Sequence, residues 1–180
     1  MPTKTLSDEQ EEPTMPANNA TTASTAEVPI WGYELEDYLD IGAEGSPHII
    51  KVTNLLTWDM ADDNETYEPN YIDTKVKKQF VVGKSATISY EKDAYKNNDL
   101  DEFLMDHEDD TNIPVRIIRV RTWTKDGDGK MKAKAAKYNL TPSQLDKNTS
   151  GEPIKLKGEL SMTDEDWTKG TWDGTAFAAE

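Results

Sequence analysis

The chain has 180 residues, with 35 Asp and Glu against 20 Lys and Arg, a formal net charge of −15 and no cysteine. That length suits one domain with a core of its own. The charge argues against a surface built to grip nucleic acid, which needs concentrated Lys and Arg. The lack of cysteine excludes a disulfide framework and thiolate metal sites, and no apolar run approaches the ~18 residues that cross a bilayer, so no membrane role is expected.

Residues 1–27 are rich in Thr, Ala, Glu, Asn and Pro and carry almost no large apolar side chain. Such a stretch buries too little to offset its ordering entropy, which predicts a disordered tail in the free subunit, or an arm that orders on a neighbour. The stretch also lacks the apolar core of a signal peptide, so the expected location is the cytoplasm unless the protein leaves inside an assembly. The expected organisation is a tail over residues 1–29 and one β-domain over residues 30–180.

Within residues 33–41 (YELEDYLDI), Tyr33, Leu35, Leu39 and Ile41 alternate while Asp37 breaks the pattern; Leu35, Tyr38 and Leu39 also fit a helix, and the strand is preferred. AEGSP at 43–47 reads as a turn, and HIIKVTNLLTWDM at 48–60 as a second strand. ADDNETYEPN at 61–70 is acidic and turn-rich, so a loop is predicted. Residues 71–82 contain a strand with Val76, Phe80 and Val82 on one face, and SATISYE at 85–91 alternates with Ala86, Ile88 and Tyr90 inward. A helix follows: Asn98 or Asp99 caps it, Glu102 stands at capping-box spacing from Asp99, Leu100, Phe103 and Leu104 form one apolar face, and His107 lies in the last turn.

The last third reads as a basic hairpin over residues 113–140, a strand over 150–162, and a glycine-punctuated tail over 169–177. In the hairpin, Val115 and Ile117 take one phase and Ile118 and Val120 the other. On the return strand Met131, Ala133 and Ala135 give way to Ala136, Tyr138 and Leu140. A change of phase in a period-two strand means a bulge or burial on both faces; the second buried face is expected to meet another subunit. Ile154, Leu156, Leu160 and Met162 keep one phase throughout. About seven strands and one short helix give a mainly β fold, a β-sandwich or barrel with a flanking helix.

Signals for chemistry are weak. The Asp126–Gly127–Asp128–Gly129 run lacks the later ligands of a calcium loop, since Lys130 and Met131 follow, and reads as a hairpin turn. His48 and His107 are isolated and form no zinc motif. No Walker loop, dinucleotide fingerprint or nucleophile elbow is present, so neither cofactor nor catalysis is expected. Paired carboxylates are uninformative in so acidic a chain, although a hydrolase using such a pair is a third reading. The five tryptophans, Trp31, Trp58, Trp123, Trp167 and Trp172, suit core or interface anchoring, with sugar stacking as the alternative. The clearest electrostatic asymmetry is the basic hairpin, whose Arg116, Arg119, Arg121, Lys132 and Lys134 suit an acidic neighbouring subunit; a nucleic-acid patch and a solvated strand face are the competing readings.

Taken in order, DYLDI, YEPNYIDTK, the Asn98–Asp99 helix start, IPVRIIRVRTW with its glycine turn, SGEPIKLKGEL and GTWDGTAF make residues 30–177 resemble a major tail tube protein of long, non-contractile-tailed bacteriophages that infect Gram-positive hosts. The resemblance implies the tail-tube fold shared with the type VI secretion tube subunit, and a structural virion protein rather than an enzyme. It implies hexameric rings stacked into a hollow tail tube that surrounds a tape measure protein, meets tail terminator and distal tail proteins, and passes DNA without specific binding. On that reading the subunit contacts are the five basic residues above and, in the acidic loop, Asp62, Asp63, Glu65, Tyr67 and Glu68. A β-sandwich binding module for carbohydrate or protein is the alternative.

Overall fold

The computed structural model describes residues 27–43, 45–69, 76, 78–143, 145, 151–164 and 166–180, and the architecture is that of the unit Trp31–Glu180. Among the described residues the fold is mainly β, with one α-helix. A 3-10 turn at Gly32–Glu34 leads into β1 (Leu35–Asp40), β2 (Ile49–Lys51), β3 (Leu55–Tyr67), β4 (Phe80–Asp93), α1 (Asp99–Asp106), β5 (Ile113–Lys125), β6 (Met131–Pro142), β7 (Lys155–Met162), β8 (Thr168–Trp172) and β9 (Phe177–Ala179). All pairings are antiparallel, in the order β2-β1-β5-β6-β7-β4-β3. The sheet curls on itself: Leu39 of β1, Trp58 of β3, Tyr90 of β4, Leu140 of β6 and Leu160 of β7 line one apolar interior.

β6 forks the sheet. Its C-terminal half, Tyr138 to Pro142, pairs with β7, while its N-terminal half, Met131 to Ala135, pairs with β8. The fork explains the change of phase. Val115, Ile117, Ala136, Tyr138 and Leu140 face the interior of the curled sheet. Ile118, Val120, Ala133 and Ala135 face the other way, into a second cluster closed by Trp172 and Phe177 of the β8–β9 hairpin. The pairing of Ile117 with Ala136 and of Ile118 with Ala135 is uninterrupted, so no bulge sits there; the register shift lies later, between Arg121 and Lys125. The expectation that another subunit covers the second face is therefore corrected: the chain's own C-terminal hairpin covers it. Close approach of β9 requires Gly170, where a Cβ would stand 2.2 Å from the carbonyl oxygen of Ala178.

Other expectations are met or moved. Residues 35–40 are a strand, but Tyr33 and Leu35 are exposed and only Leu39 and Ile41 reach the core. The predicted strand over 48–60 is interrupted after Lys51, and Asn54 takes a left-handed φ of 60° before β3 starts. The predicted loop over 61–70 is strand as far as Tyr67. Hydrogen bonding along β4 supplies what Asp and Asn lack in intrinsic strand preference. β4 is one strand where two were expected; Ala86, Ile88 and Tyr90 face inward, whereas Val76, Phe80 and Val82 are exposed. Residue 70 of the predicted loop, residues 71–75 and 77 of the predicted 71–82 segment, and residues 1–26 of the predicted tail lie outside the described residues.

Helix α1 is capped by Asn98, whose Oδ1 accepts from the amides of Leu100 and Asp101. Leu100 and Leu104 sink into the core, and His107 Nδ1 bonds the Phe103 carbonyl oxygen at 2.8 Å. Beside them Lys92 of β4 and Asp101 form a fully buried ion pair, and Asp101 also accepts from the amide of Tyr95. That pair ties the helix to the sheet. Each partner leaves a buried charge uncompensated if the other is removed.

Candidate functional site

The basic residues of the β5–β6 hairpin separate by strand parity. Arg119 stands opposite Asp37 in the β1–β5 register, and Arg116 opposite Asp40. Arg119 holds both Asp37 oxygens in a fork, Nε to Oδ1 at 2.7 Å and Nη2 to Oδ2 at 2.9 Å, with side chains 12% and 7% exposed. Arg116 Nη2 donates to Asp40 Oδ2 at 2.9 Å on the opposite face and lies 6.0 Å from the Phe177 ring centroid. Asp40 Oδ1 accepts from the amides of Gly42 and His48, which closes the turn between β1 and β2. The Asp37 that interrupts the apolar alternation of β1 is thus the partner of a core-facing arginine.

Around Arg119 the curled sheet has a charged mouth. Its guanidinium lies 3.6 Å from Met60 Sδ and 5.6 Å from the centroid of the Trp167 ring, and Lys134 Nζ stands 4.1 Å from the same centroid. Burial, with the like charges of Arg119 and Arg121, holds the Lys134 ammonium below its ordinary pKa, while Asp37 and Asp62 act against the shift. Burial pushes the neighbouring Tyr138 hydroxyl up to about 12. Two residue pairs further along the hairpin, Arg121 and Lys132 face each other across the strands, both exposed. Among the described residues neither has a carboxylate partner.

The acidic candidates occupy a different element from the one predicted. Asp62, Asp63, Glu65 and Tyr67 lie on the outer half of β3, with Glu68 just beyond, and pair with Phe80 to Ala86 of β4 in a two-stranded ribbon. From Ala61 to Glu68 and from Phe80 to Val82 every residue is exposed. A register shift at Glu65/Thr66 adds a local irregularity. The one ion pair on this arm among the described residues is Asp62 with Lys84, at 2.9 Å and on the surface. Tyr67, Phe80, Val81 and Val82 expose about half or more of their surface, Val81 64%. Residue pattern alone did not single out this apolar strand; the adjacent Val81 and Val82, which cannot both face one core, are the signal that was available.

Other cavities offer little chemistry. The interior void is about 20 Å³, apolar apart from Lys92, which is committed to Asp101. An open groove of about 390 Å³ on the outer sheet face carries Ser89, Thr141, Ser143, Ser161 and Lys157, with Glu159 its one carboxylate among the described residues. The Asp126 carboxylate accepts from the amides of Asp128 and Lys130, so it closes the β5–β6 turn. No group of three or more acidic or histidine side chains suited to a metal occurs among the described residues, and none of their helices is long and apolar enough to cross a membrane. Of the tryptophans, Trp172 is core, Trp58 and Trp167 are half-buried, and Trp31 and Trp123 are exposed.

No protein-family model matches the sequence, and no curated protein matches it. Solved structures do resemble it. The tail of an empty gene transfer agent particle, refined with helical and C6 symmetry, superposes with a TM-score of 0.54 at 14% identity, covering 84% of this chain and 99% of that one. A chain of the native gene transfer agent virion gives 0.53 at 13% identity, covering 84% and 100%. A chain of the anti-feeding prophage baseplate gives 0.49 at 8% identity, covering 79% and 96%. At these identities the first two likenesses establish a shared fold alone, mainly β with one helix.

Proposed function

We propose that the protein is a structural component of a phage-like tail, which assembles through itself into six-membered rings and stacks them into a hollow tube. The observation that carries this reading is the β3–β4 arm. A two-stranded ribbon with no core beneath it is marginal in water, and this one exposes Tyr67, Phe80, Val81 and Val82 together. A long free strand with apolar side chains is a liability unless another chain covers it. The fold likeness to a tail with C6 symmetry names the kind of assembly that would do so.

In this reading the tube surrounds a tape measure protein during assembly, meets terminator and distal tail proteins at its ends, and lets DNA pass. A chain of charge −15 is suited to a lumen that does not hold phosphate. The protein resides in the virion after assembly in the host cytoplasm. The division into a tail of residues 1–29 and a tube domain of residues 30–180 belongs to the same proposal, as does its siphophage-type tube role.

Negative-stain electron microscopy and analytical ultracentrifugation of concentrated protein test it. Rings or tubes of six-fold symmetry are the expected result. A species that stays monomeric across the millimolar range, and binds glycans on an array through Trp31 and Trp123, would replace the tube reading with the binding-module alternative.

A further inference from the structure

The arm has a matching surface elsewhere on the same chain. Along β5 the residues of interior parity run Ile117, Arg119 and Arg121, the last two paired with Lys134 and Lys132 of β6, and Trp123 follows within the register shift that begins after Arg121. The interior is closed as far as Arg119, where Met60 of β3 comes within 3.6 Å. Beyond it the sheet continues without cover. Leu35 lies opposite Arg121 on β1 and is 37% exposed, Trp123 is 40% exposed, and the 3-10 turn before β1 presents Tyr33 to solvent. The Thr122 hydroxyl donates to the Glu34 carbonyl oxygen at 2.8 Å and ties that turn to β5. The result is a shelf with a basic pair, Arg121 and Lys132, set among apolar and aromatic surface.

The arm carries the complement. Asp63, Glu65 and Glu68 have no cation partner among the described residues, and Tyr67, Phe80 and Val81 supply apolar surface beside them. Among the described residues, arm and shelf of one copy make no ion pair with each other. We infer that the acidic β3–β4 arm of one copy seats on the shelf formed by Leu35, Arg121, Trp123 and Lys132 of a second copy, an inference that rests on the self-assembly reading above. The contact joins two different patches of one chain, so it is head-to-tail and closes a ring when its rotation divides the circle evenly. Opposite charges set among apolar groups fix register and partner more than they raise affinity, and like charges in the same place are strongly unfavourable.

Charge reversal in two halves tests the pairing in the full chain. One variant carries Arg121→Glu and Lys132→Glu; the other carries Asp63→Lys and Glu65→Lys. All four positions are exposed, so both variants keep the wild-type circular dichroism spectrum. Each alone is expected to need at least about tenfold more protein for half-assembly by sedimentation, because like charges now meet. Mixed one to one, the variants complement each other and assemble again, with the two kinds alternating around the ring and present in equal numbers by native mass spectrometry. Wild type that assembles while both variants also assemble, or a mixture that stays dissociated, overturns the pairing and leaves the tube reading standing. Wild type that never assembles overturns both. If the shelf variant assembles normally but loses binding of a labelled oligonucleotide at physiological salt, the shelf is a nucleic-acid site instead. Should a reversal disturb folding, Arg121→Gln with Lys132→Gln substitutes for it; that variant is expected to weaken assembly and reduce its salt dependence, and no change in either counts against the pairing.

Discussion

Replacing Arg119 by Met should destabilise the isolated subunit, before any assembly is considered. The Asp37 carboxylate, 7% exposed, receives both of its side-chain hydrogen bonds from Arg119. Met fills much of the arginine stem's volume but leaves an unpaired charge at the mouth of the curled sheet. Breaking a buried pair by removing one partner costs ~3–5 kcal/mol, a large share of the ~5–15 kcal/mol that holds a domain together. At ~2–4 °C per kcal/mol for a chain of this size, the melting temperature should fall by roughly 10 °C or more. Removing both partners, as Asp37→Leu with Arg119→Met, should recover most of that loss, since an apolar pair of similar volume is often neutral or better. Urea unfolding of wild type, both single variants and the double variant closes the cycle, with an expected coupling of at least about 3 kcal/mol, because the double variant regains most of a ~3–5 kcal/mol single loss. A single-variant loss below about 1 kcal/mol, or a double variant no more stable than the worse single one, would refute the claim that this pair is an internal structural bond. The same geometry makes Arg119→Glu unsuitable for probing assembly, because the new carboxylate would sit against Asp37.

Trp172→Ala should cost ~3–5 kcal/mol in urea unfolding of the monomer, because its ring closes the second cluster; a loss below about 1 kcal/mol would mean that this face is completed by something outside the chain. Gly170→Val should displace β9, because the new Cβ would meet Ala178 and the Phe177 ring, and hydrogen exchange should show lost protection at residues 177–179 with β5 and β6 unchanged; unchanged protection of β9 counts against the close approach. Replacing residues 64–84 by an Asn-Gly turn, which joins the paired Asp63 and Ser85, should leave a folded domain by circular dichroism and abolish tubes by microscopy; normal tubes would remove the arm from assembly. Lys134 titrates in the folded state below its ordinary 10.5, so its burial costs stability at neutral pH and that cost is relieved as pH rises towards 10.5. Lys134→Met should accordingly be more stable than wild type near neutrality, by an advantage that shrinks with rising pH in parallel urea titrations; an advantage independent of pH would deny that the charge is its source.

Much of the fold was legible locally. Alternation along residues 85–91 and 154–162 named Ala86, Ile88, Tyr90, Leu156, Leu160 and Met162 as inward, although Ile154, just before β7, is exposed, because a half-buried strand has a period of two and a slip would expose the whole set. The Asn98 cap and the Leu100–Leu104 spacing announced α1, since helix ends and helix faces are short-range properties. The double phase of 115–120 left a bulge and burial on both faces as its two readings, and the second is the one the structure shows. What covers the second face was decided only by tertiary structure: β8 and β9 join from about fifty residues away in sequence, and a strand's pattern records that a face is dry without recording what dries it. The acidic run at 61–67 looked like a loop because Asp and Asn disfavour strands in isolation, but its conformation is set by hydrogen bonds to β4, which no window along the chain contains. Charge behaved likewise. Composition showed that the β5–β6 hairpin is basic, yet only the β1–β5 register separated Arg116 and Arg119, each joined to a carboxylate of β1, from Arg121 and Lys132, left open to solvent. Pairing across strands is a long-range property, and it divides side chains of one type into those that hold the subunit together and those free to meet another.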